Sequence, residues 1–329
     1  MTSIWGNIST QYFYDLRPDV ILDAVSNAGL KPTGAINILN SMENRVYDLG
    51  IETNEQSSET SVICKFYRPG RWSREQIIEE HVFLKSLNQS EVPVIAPLEI
   101  NDESLFVIPS LNIYYAFFKK EGGRSHDELN ESQLAQLGRL LARLHLIGKQ
   151  TIATTRIKMT PEVYLNQNLK NLLSLKVIPS DFEARYKGIV LQLLEKILPL
   201  FDNVCLQRIH GDCHLSNIIW QEDTALLIDF DDMVMGPPIQ DIWLLVPGQD
   251  NDAEYKRQIL LDAYEVFLDF DYSSLRLIEP LRAMRYVNFA TWLSRRADDP
   301  AFKRTYLHFY QSNFWEQEID NLQEQLLLI

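Results

Sequence analysis

The chain has 329 residues, of which 46 % are hydrophobic, enough to bury a large core in one big domain or in two lobes that share a cleft. Its formal net charge is -14, so we expect no nucleic-acid partner and no binding to an anionic membrane surface. The cysteines, Cys64, Cys205 and Cys213, fit neither a disulfide framework nor a zinc motif by their spacing. No stretch approaches the roughly 18 apolar residues of a membrane span. We therefore expect a cytoplasmic protein.

The first third of the chain has the pattern of a small β-rich lobe. A short helix is predicted over residues 18–28, and a capping box formed by Ser73 and Gln76 begins another helix. We expect strands at residues 36–39, 45–49, 61–67, 98–101, 105–108 and 114–118. The polar run 52–60 has the composition of a hairpin loop.

After residue 132 the pattern changes to long amphipathic helices. We expect them at residues 134–148, 172–200, 253–270 and 281–296, with one or two more over 302–328. The only β element predicted there is a hairpin of two apolar runs, 218–221 and 225–228. The sequence therefore predicts an α+β protein with a β-rich N-terminal lobe over 1–118, a connector over 119–123 and a mainly helical C-terminal lobe over 124–329.

Three oxygen-bearing side chains surround that hairpin in sequence. Asn217 directly precedes its first strand and Asp229 directly follows its second, so antiparallel pairing brings both to the same end. Asp212 lies five residues before Asn217, on the preceding loop. Oxygen ligands suit Mg²⁺, and phosphoryl transfer needs in addition a carboxylate that accepts the proton of the attacking hydroxyl. The spacing therefore predicts magnesium-dependent phosphoryl transfer.

This segment, His210-Gly211-Asp212 with Asn217 and Asp229-Phe230-Asp231, resembles the catalytic loop and metal motif of the aminoglycoside phosphotransferase and choline kinase superfamily. The resemblance implies a bilobal protein-kinase-like fold and an enzyme that uses ATP and Mg²⁺. In such a fold, 1–118 is the nucleotide-binding lobe, 119–123 the hinge and 124–329 the catalytic and substrate lobe. It implies that Asp212 is the catalytic base, that Asn217 and Asp229 bind magnesium, and that His210 orients the loop. Asp231 and Asp232 remain alternatives for a supporting contact.

A zinc site is the rival interpretation of the same segment, because imidazole and thiolate groups suit zinc. It would use His210, Asp212, Cys213 and His214. The other four histidines, His81, His126, His145 and His308, include no pair at i, i+4 and give it no support. We expect Cys213 to be a structural cysteine.

A kinase also needs a lysine in the first lobe that reaches the nucleotide phosphates. The strand residue Lys65 fits, and Glu80 is its expected partner because it shares the buried stripe of the following helix. No glycine-rich loop lies between the first two strands. Ser41 and the backbone amides of a tight turn are expected to bind phosphate instead, since a group of N–H donors binds anions without glycine.

Three further segments, 39–47, 65–72 and 278–285, together resemble the bacterial stress response kinase A family. That resemblance implies a monomeric cytoplasmic serine/threonine protein kinase, and Asp241 looks like the aspartate that braces the catalytic loop in this family. Arg282, Arg285, Trp292 and Arg296 recur at helical spacing, which is compatible with substrate contacts along the cleft of the second lobe. We favour the alternative that this stripe is structural and pairs with surface carboxylates.

Two alternatives stay open. Only residues 232–240 separate the metal motif from Asp241, and no Ala-Pro-Glu follows, which is similar to small-molecule kinases. A small alcohol of the aminoglycoside, choline or homoserine type is therefore an alternative acceptor. A pseudokinase that binds nucleotide without chemistry is less favoured, because Lys65, Asp212, Asn217 and Asp229 are all present.

Overall fold

The computed structural model describes residues 13, 16–52, 59–296, 302, 305, 306, 308, 309 and 311–329. Most of the loop predicted over 52–60, and part of the predicted helical region over 302–328, lie outside these residues. The described chain forms two compact units. The first unit comprises described residues of 6–136 and 214–231, and the second comprises those of 137–213 and 232–329. The lobe boundaries given above remain a prediction.

The first unit is built on a five-stranded sheet in which every neighbouring pair is antiparallel. Its strands are β1 Pro32–Leu39, β2 Arg45–Glu52, β3 Glu59–Phe66, β4 Phe106–Ile108 and β5 Ile113–Lys119, in the order β1-β2-β3-β5-β4. Val62, Cys64 and Phe66 alternate along β3 into a core that also contains α1 (Pro18–Asn27). Because side chains alternate along a strand, Lys65 points to the opposite face of the sheet.

Helix α2 (Arg74–Gln89) begins as predicted, with the Ser73 hydroxyl and the Gln76 side chain each accepting the other residue's backbone N–H. The predicted strand over 98–101 is wrong, since this segment forms only isolated bridges. Asn101 and Asp102 have positive φ angles of 53° and 64°, and two such residues in a row turn the chain back on itself.

Beyond residue 130 the described chain is mainly helical. The helices are α3 Glu131–Gly148, α4 Asn168–Leu175, α5 Ser180–Ile197, α6 Ile239–Leu245, α7 Asn251–Tyr264, α8 Ile278–Ser294 and α9 Ser312–Leu328. The single helix predicted over 172–200 is wrong: Lys176 ends α4 in the left-handed conformation, and Pro179 caps the start of α5. None of the described helices combines the length and apolarity that crossing a bilayer requires.

Two short antiparallel pairs complete the strands. The predicted hairpin forms from β7 (Ile218–Gln221) and β8 (Thr224–Leu227) in the first unit. Strands β6 (Gln207–Ile209) and β9 (Val234–Gly236) pair in the second unit and were not predicted, because three residues carry too little alternation to reveal a strand.

Helix α9 buries a carboxyl group against α5 and α8. Trp315, Ile319 and Leu322 are fully buried on this helix, and the Trp315 ring meets Tyr186 of α5 edge-on, with centroids 5.3 Å apart. Glu318 lies on the same face, and burial raises its pKa from 4.5 to about 8. The folded protein therefore keeps this carboxyl largely neutral near pH 7.

Replacing Glu318 by glutamine should raise the free energy of unfolding at neutral pH by about 1–3 kcal/mol, because ionisation of Glu318 favours the unfolded chain. Because the pKa of Glu318 is raised in the folded state, its contribution to the parent's free energy of unfolding is fully present below the unfolded pKa. That contribution is lost as pH rises to about 8. Urea unfolding at several pH values across this range should therefore show a gap between variant and parent that widens with pH.

The matched control is Glu316→Gln, an exposed position on the same helix, which should give a small and constant gap. A gap for Glu318→Gln that stayed constant with pH would contradict the assignment.

Candidate active site

The β7–β8 hairpin brings two predicted ligands to one end. The Ile228 N–H donates to the Asn217 carbonyl at 3.0 Å, so pairing continues one residue past the strands. Asn217 and Asp229 therefore lie at the same end of the hairpin, opposite the turn at Glu222 and Asp223. This is the arrangement that the strand spacing predicted.

Both side chains offer oxygen atoms of the kind that Mg²⁺ prefers. The amide nitrogen of Asn217 lies 3.4 Å from the His214 ring nitrogen Nε2, which directs its amide oxygen away from that ring. The Asp229 side chain is 53 % exposed, and its φ of 60° is one that residues other than glycine rarely adopt. Backbone strain of this kind is concentrated at functional sites. One amide and one carboxylate fit a magnesium ion whose other ligands are phosphate and water oxygens.

Lys65 reaches the same carboxylate from β3. Its ammonium nitrogen lies 3.1 Å from Asp231 Oδ1, 3.2 Å from Asp229 Oδ1 and 3.9 Å from Glu80 Oε1. Burial by itself would lower the pKa of Lys65, but the charges of Asp231, Asp229 and Glu80 outweigh it and raise that pKa well above its ordinary value. A permanent positive charge therefore stands beside the predicted metal ligand Asp229.

The structure distinguishes between Asp231 and Asp232, which the sequence left open. Asp231 is buried, and its second oxygen accepts a hydrogen bond from the Trp72 indole at 3.3 Å. The Arg71 guanidinium lies over the Trp72 ring, 4.0 Å from its centroid. Asp231 is thus the residue that supports Lys65, and a stacked pair from the segment after β3 supports Asp231 in turn.

The same segment fixes the turn between β1 and β2. The buried Arg68 donates from Nε to the Glu43 carbonyl at 2.9 Å, and its backbone N–H donates to the Asn44 side chain at 3.0 Å. The Glu43 carboxylate lies 3.4 Å from Arg68 and 3.8 Å from Arg71. Buried arginines paired in this way hold one geometry. These side-chain contacts therefore fix the backbone conformation of the turn, which a glycine-rich loop does not have fixed in this way.

Ser41 lies in this turn and is half-buried. In the described chain, no hydrogen bond or ion pair joins Ser41 to Lys65 or to the other predicted site residues. The structure thus gathers Lys65, Glu80 and Asp229, places Asn217 at the same hairpin end as Asp229, and leaves Ser41 in the anchored turn.

In the second unit, a buried aspartate shapes the loop that carries Asp212. Asp241, in the first turn of α6, accepts hydrogen bonds from the backbone N–H groups of His210 and Gly211, each at 2.8 Å. The His145 ring lies 3.2 Å from the same carboxylate. Gly211 has a φ of 87°, and a Cβ atom there would lie 2.2 Å from the Asp232 carbonyl oxygen, so only glycine fits. Asp241 braces the loop as the family resemblance implied.

His210 connects this brace to Asp212. Its ring nitrogen Nδ1 accepts a hydrogen bond from the Asp212 N–H at 3.3 Å, which makes Nδ1 an acceptor and places the ring proton on Nε2. Burial raises the pKa of the neighbouring Cys213 thiol well above its ordinary value. Among the described residues, no group of three or more His, Cys, Asp and Glu side chains is arranged to hold a metal ion, so the geometry disfavours the zinc interpretation.

Asp212 has a partner that the sequence interpretation missed. Arg285 of α8 donates from Nη1 to Asp212 Oδ1 at 2.8 Å. The structural role expected for the arginine stripe fits Arg282, which pairs with Glu279 at 3.0 Å, and Arg296, which is buried. Arg285 instead pairs with the predicted base, which the expectation for the stripe did not include. Helical spacing alone carries no signal that separates these arginines, because it does not show which turn of α8 faces the loop.

Comparisons with known proteins agree with this geometry. Residues 36–278 match the phosphotransferase enzyme family. Stress response kinase A of Escherichia coli (strain K12) is 35 % identical over 320 residues, which cover 97 % of this chain and 95 % of that protein. Serine/threonine protein kinase RdoA of Salmonella typhimurium is 36 % identical over 318 residues, with coverages of 96 % and 94 %. The solved structure of amicoumacin kinase hAmiN in complex with AMP-PNP, Ca2+ and Ami has a TM-score of 0.69 at 21 % identity, with coverages of 92 % and 93 %.

The chain therefore belongs to the phosphotransferase enzyme family and is a kinase of that class. Its α+β, protein-kinase-like fold is confirmed. Within the class, its resemblance to the stress response kinase A family is confirmed over nearly the whole chain.

Replacing Asp241 by asparagine should destabilise the protein by about 2–4 kcal/mol, because it puts an amide where a buried carboxylate accepts two backbone N–H groups. Urea unfolding at pH 7 measures the change. Asp262→Asn on the exposed side of α7 makes the same chemical substitution and should change stability by less than about 0.5 kcal/mol. Equal stability of the Asp241 variant and the parent would show that the carboxylate does not hold this loop.

Proposed function

We propose that this protein transfers the γ-phosphate of ATP, in a magnesium-dependent reaction in the cytoplasm, to a serine or threonine hydroxyl of a protein. The observation that carries the proposal is the placement of the buried Lys65 ammonium 3.2 Å from the Asp229 carboxylate. A strand lysine beside a metal-ligand aspartate is the phosphate-binding arrangement of kinases.

On the nucleotide side, Lys65 binds the phosphates, and Glu80 keeps the ammonium in place when a phosphate competes with Asp229 for it. Asn217 and Asp229 hold the magnesium ion, which neutralises charge on the phosphates when it is bound. Ser41 and the backbone of its anchored turn add phosphate contacts. Because this turn is fixed by Arg68 and Glu43, its N–H groups need little ordering when nucleotide binds.

On the acceptor side, Asp212 orients the attacking hydroxyl and accepts its proton. The hydroxyl oxygen forms the new bond to the γ-phosphorus as the bond to the β–γ bridging oxygen breaks, which releases ADP. The hydrogen bond from Asp212 N–H to His210 and the two bonds to Asp241 fix the backbone from which Asp212 projects. We propose that this enzyme works as a monomer.

The choice of a protein acceptor rests on the Salmonella relative, which is named a serine/threonine protein kinase. A small alcohol remains the second candidate, favoured by the short connection between Asp232 and Asp241. In the structure this connection consists of β9 and the first residues of α6, with no long segment for docking a peptide.

Asp212→Asn and Asp229→Asn should each lower phosphate transfer by at least about a hundredfold, because each removes a charge that the reaction needs. Purified protein is incubated with radiolabelled ATP, Mg²⁺ and either generic protein substrates or a panel of small alcohols. Asp223→Asn, in the turn at the other end of the hairpin, is the matched control and should retain activity.

Label on protein serine or threonine that disappears in Asp212→Asn supports a protein kinase. Label confined to small hydroxyl compounds supports the second candidate. A parent protein that binds ATP and transfers nothing would instead be a pseudokinase, against the proposal.

Lys65→Met should weaken ATP binding at least about tenfold, because it removes the cation that faces the phosphates and leaves Asp231, Asp229 and Glu80 without it. Calorimetric titration with ATP and Mg²⁺ measures the dissociation constant, and thermal unfolding shows whether the variant is folded. Lys119→Met on the neighbouring strand β5, where the lysine is exposed, is the matched control. Unchanged affinity in a folded Lys65→Met protein would contradict the assigned role.

A further inference from the structure

Arg285 is unlike Arg282, the other arginine of α8, in how few of its hydrogen-bond donors are used. Arg282 donates to the Glu279 carboxylate and the Pro247 carbonyl and lies over the Trp243 ring. Arg285 donates from a single nitrogen to Asp212, and within the described chain this is its only polar partner. Its side chain is 42 % exposed, so the rest of its planar group of N–H donors faces solvent.

Stability does not explain the pair formed by Arg285 and Asp212. The two side chains are 42 % and 23 % exposed, and ion pairs exposed to this extent contribute little to folding. A ligand can therefore share or open the pair at low cost. The position of Arg285 is explained better by what it offers to a molecule that approaches Asp212.

The charge of Arg285 also restricts which molecules approach. A lone Asp212 carboxylate would attract cationic acceptors such as aminoglycosides or choline. A guanidinium 2.8 Å from that carboxylate cancels the attraction and repels a second cation, which is how a binding site selects against a class of ligand.

An aromatic surface continues from Arg285 along α8. Phe289 lies one helical turn beyond Arg285 and therefore on the same side of the helix. It is 40 % exposed and stacks on Trp292, with ring centroids 5.7 Å apart and planes inclined by 16°. The surface beside Asp212 thus offers an acceptor the Arg285 guanidinium and, one helical turn further along α8, the apolar ring of Phe289.

We propose that Arg285 and Phe289 form an acceptor subsite selective for substrates that carry an anionic oxygen group, a carboxylate or a phosphate, next to the hydroxyl to be phosphorylated. The proposal rests on the proposed function, with Asp212 as the base. The same chemistry is presented by an acidic residue beside a serine in a protein and by a free hydroxy acid. The arms of the experiment separate these two sources.

The test uses the full-length protein with ATP and Mg²⁺. One arm contains three serine peptides that differ only in the residue after the serine, which is glutamate, glutamine or lysine. The other arm contains N-acetylserine, its neutral amide, and choline. We expect kcat/KM to be at least about tenfold higher for the anionic member of an arm than for the cationic one. The difference should lie mainly in KM, because the subsite binds rather than reacts.

In Arg285→Gln, the kcat/KM values of the acceptors in one arm should lie within about threefold of one another. Arg285→Lys should keep part of the preference for anionic acceptors because it keeps the positive charge. Arg282→Gln, the neighbouring arginine on α8, should leave the preference unchanged. A preference for the anionic acceptor in the peptide arm alone identifies a protein substrate. A preference for the anionic acceptor in the other arm identifies a small hydroxy acid.

Three results overturn the subsite. One is an equal loss of kcat/KM for every acceptor in Arg285→Gln, which would mean that Arg285 only holds Asp212 in place. Another is a parent protein without charge preference. The third is a parent that hydrolyses ATP with Mg²⁺ yet neither phosphorylates nor is inhibited by any acceptor. A parent without ATP turnover of any kind shows instead that the proposed function itself is wrong.

Discussion

The interaction on which the candidate site depends is the charge cluster around Lys65, in which Asp231 and Glu80 are buried and Asp229 is half exposed. Three carboxylates, from Asp231, Asp229 and Glu80, lie within 3.9 Å of one ammonium group, and they leave a local excess of negative charge. Such a cluster is costly to bury unless each charge is neutralised or hydrogen-bonded. Asp229 is the carboxylate of this cluster that solvent reaches, and it is the one to which the proposed function assigns the magnesium ion.

The chain of contacts from Asp231 through Trp72 and Arg71 to Glu43 extends this cluster to the turn between β1 and β2. Each contact uses a planar group, an indole or a guanidinium, whose geometry is restricted. A glycine-rich loop leaves its backbone to be ordered by nucleotide. Here the cost of ordering is met during folding, by burial of Arg68 and Arg71. The absence of a glycine pattern between β1 and β2 therefore agrees with phosphate binding by a turn that is already fixed.

The sequence predicted the parts of the site that are close together along the chain. Asn217 and Asp229 flank one short hairpin, and pairing within a hairpin follows from strand spacing alone. The buried helix stripe that contains Glu80 was predictable for the same reason, since it depends on a local period. Contacts between distant segments were not predictable in this way. The separations are 159 residues for Trp72 and Asp231 and 73 for Asp212 and Arg285, and no local pattern encodes them.

The two errors in the predicted fold also arise from features that the local hydrophobic pattern does not show. Residues 98–101 are apolar enough for a strand, but Asn101 and Asp102 adopt left-handed conformations that end it. Residues 172–200 keep a helical period across a break, because Lys176 and Pro179 interrupt the backbone without interrupting the apolar pattern. Periodicity reports which face of a segment is buried, whereas the backbone angles of one or two residues decide whether the segment is continuous.

The positively charged residues of the candidate site indicate something that its motifs do not, namely which acceptor the protein selects. His-Gly-Asp and Asp-Phe-Asp fix the carboxylates that phosphoryl transfer needs, and these are shared with kinases whose acceptors are cationic. Lys65 pairs with three carboxylates of the first unit, and Arg285 pairs with Asp212 in the second. The role proposed for the lysine is to bind the nucleotide, which every kinase of this fold requires. The arginine is not required for that purpose, and an exposed pair adds little stability, so its position is best explained by the acceptor. Acceptor selectivity in this protein therefore depends on a residue of α8 outside the motifs that define its chemistry.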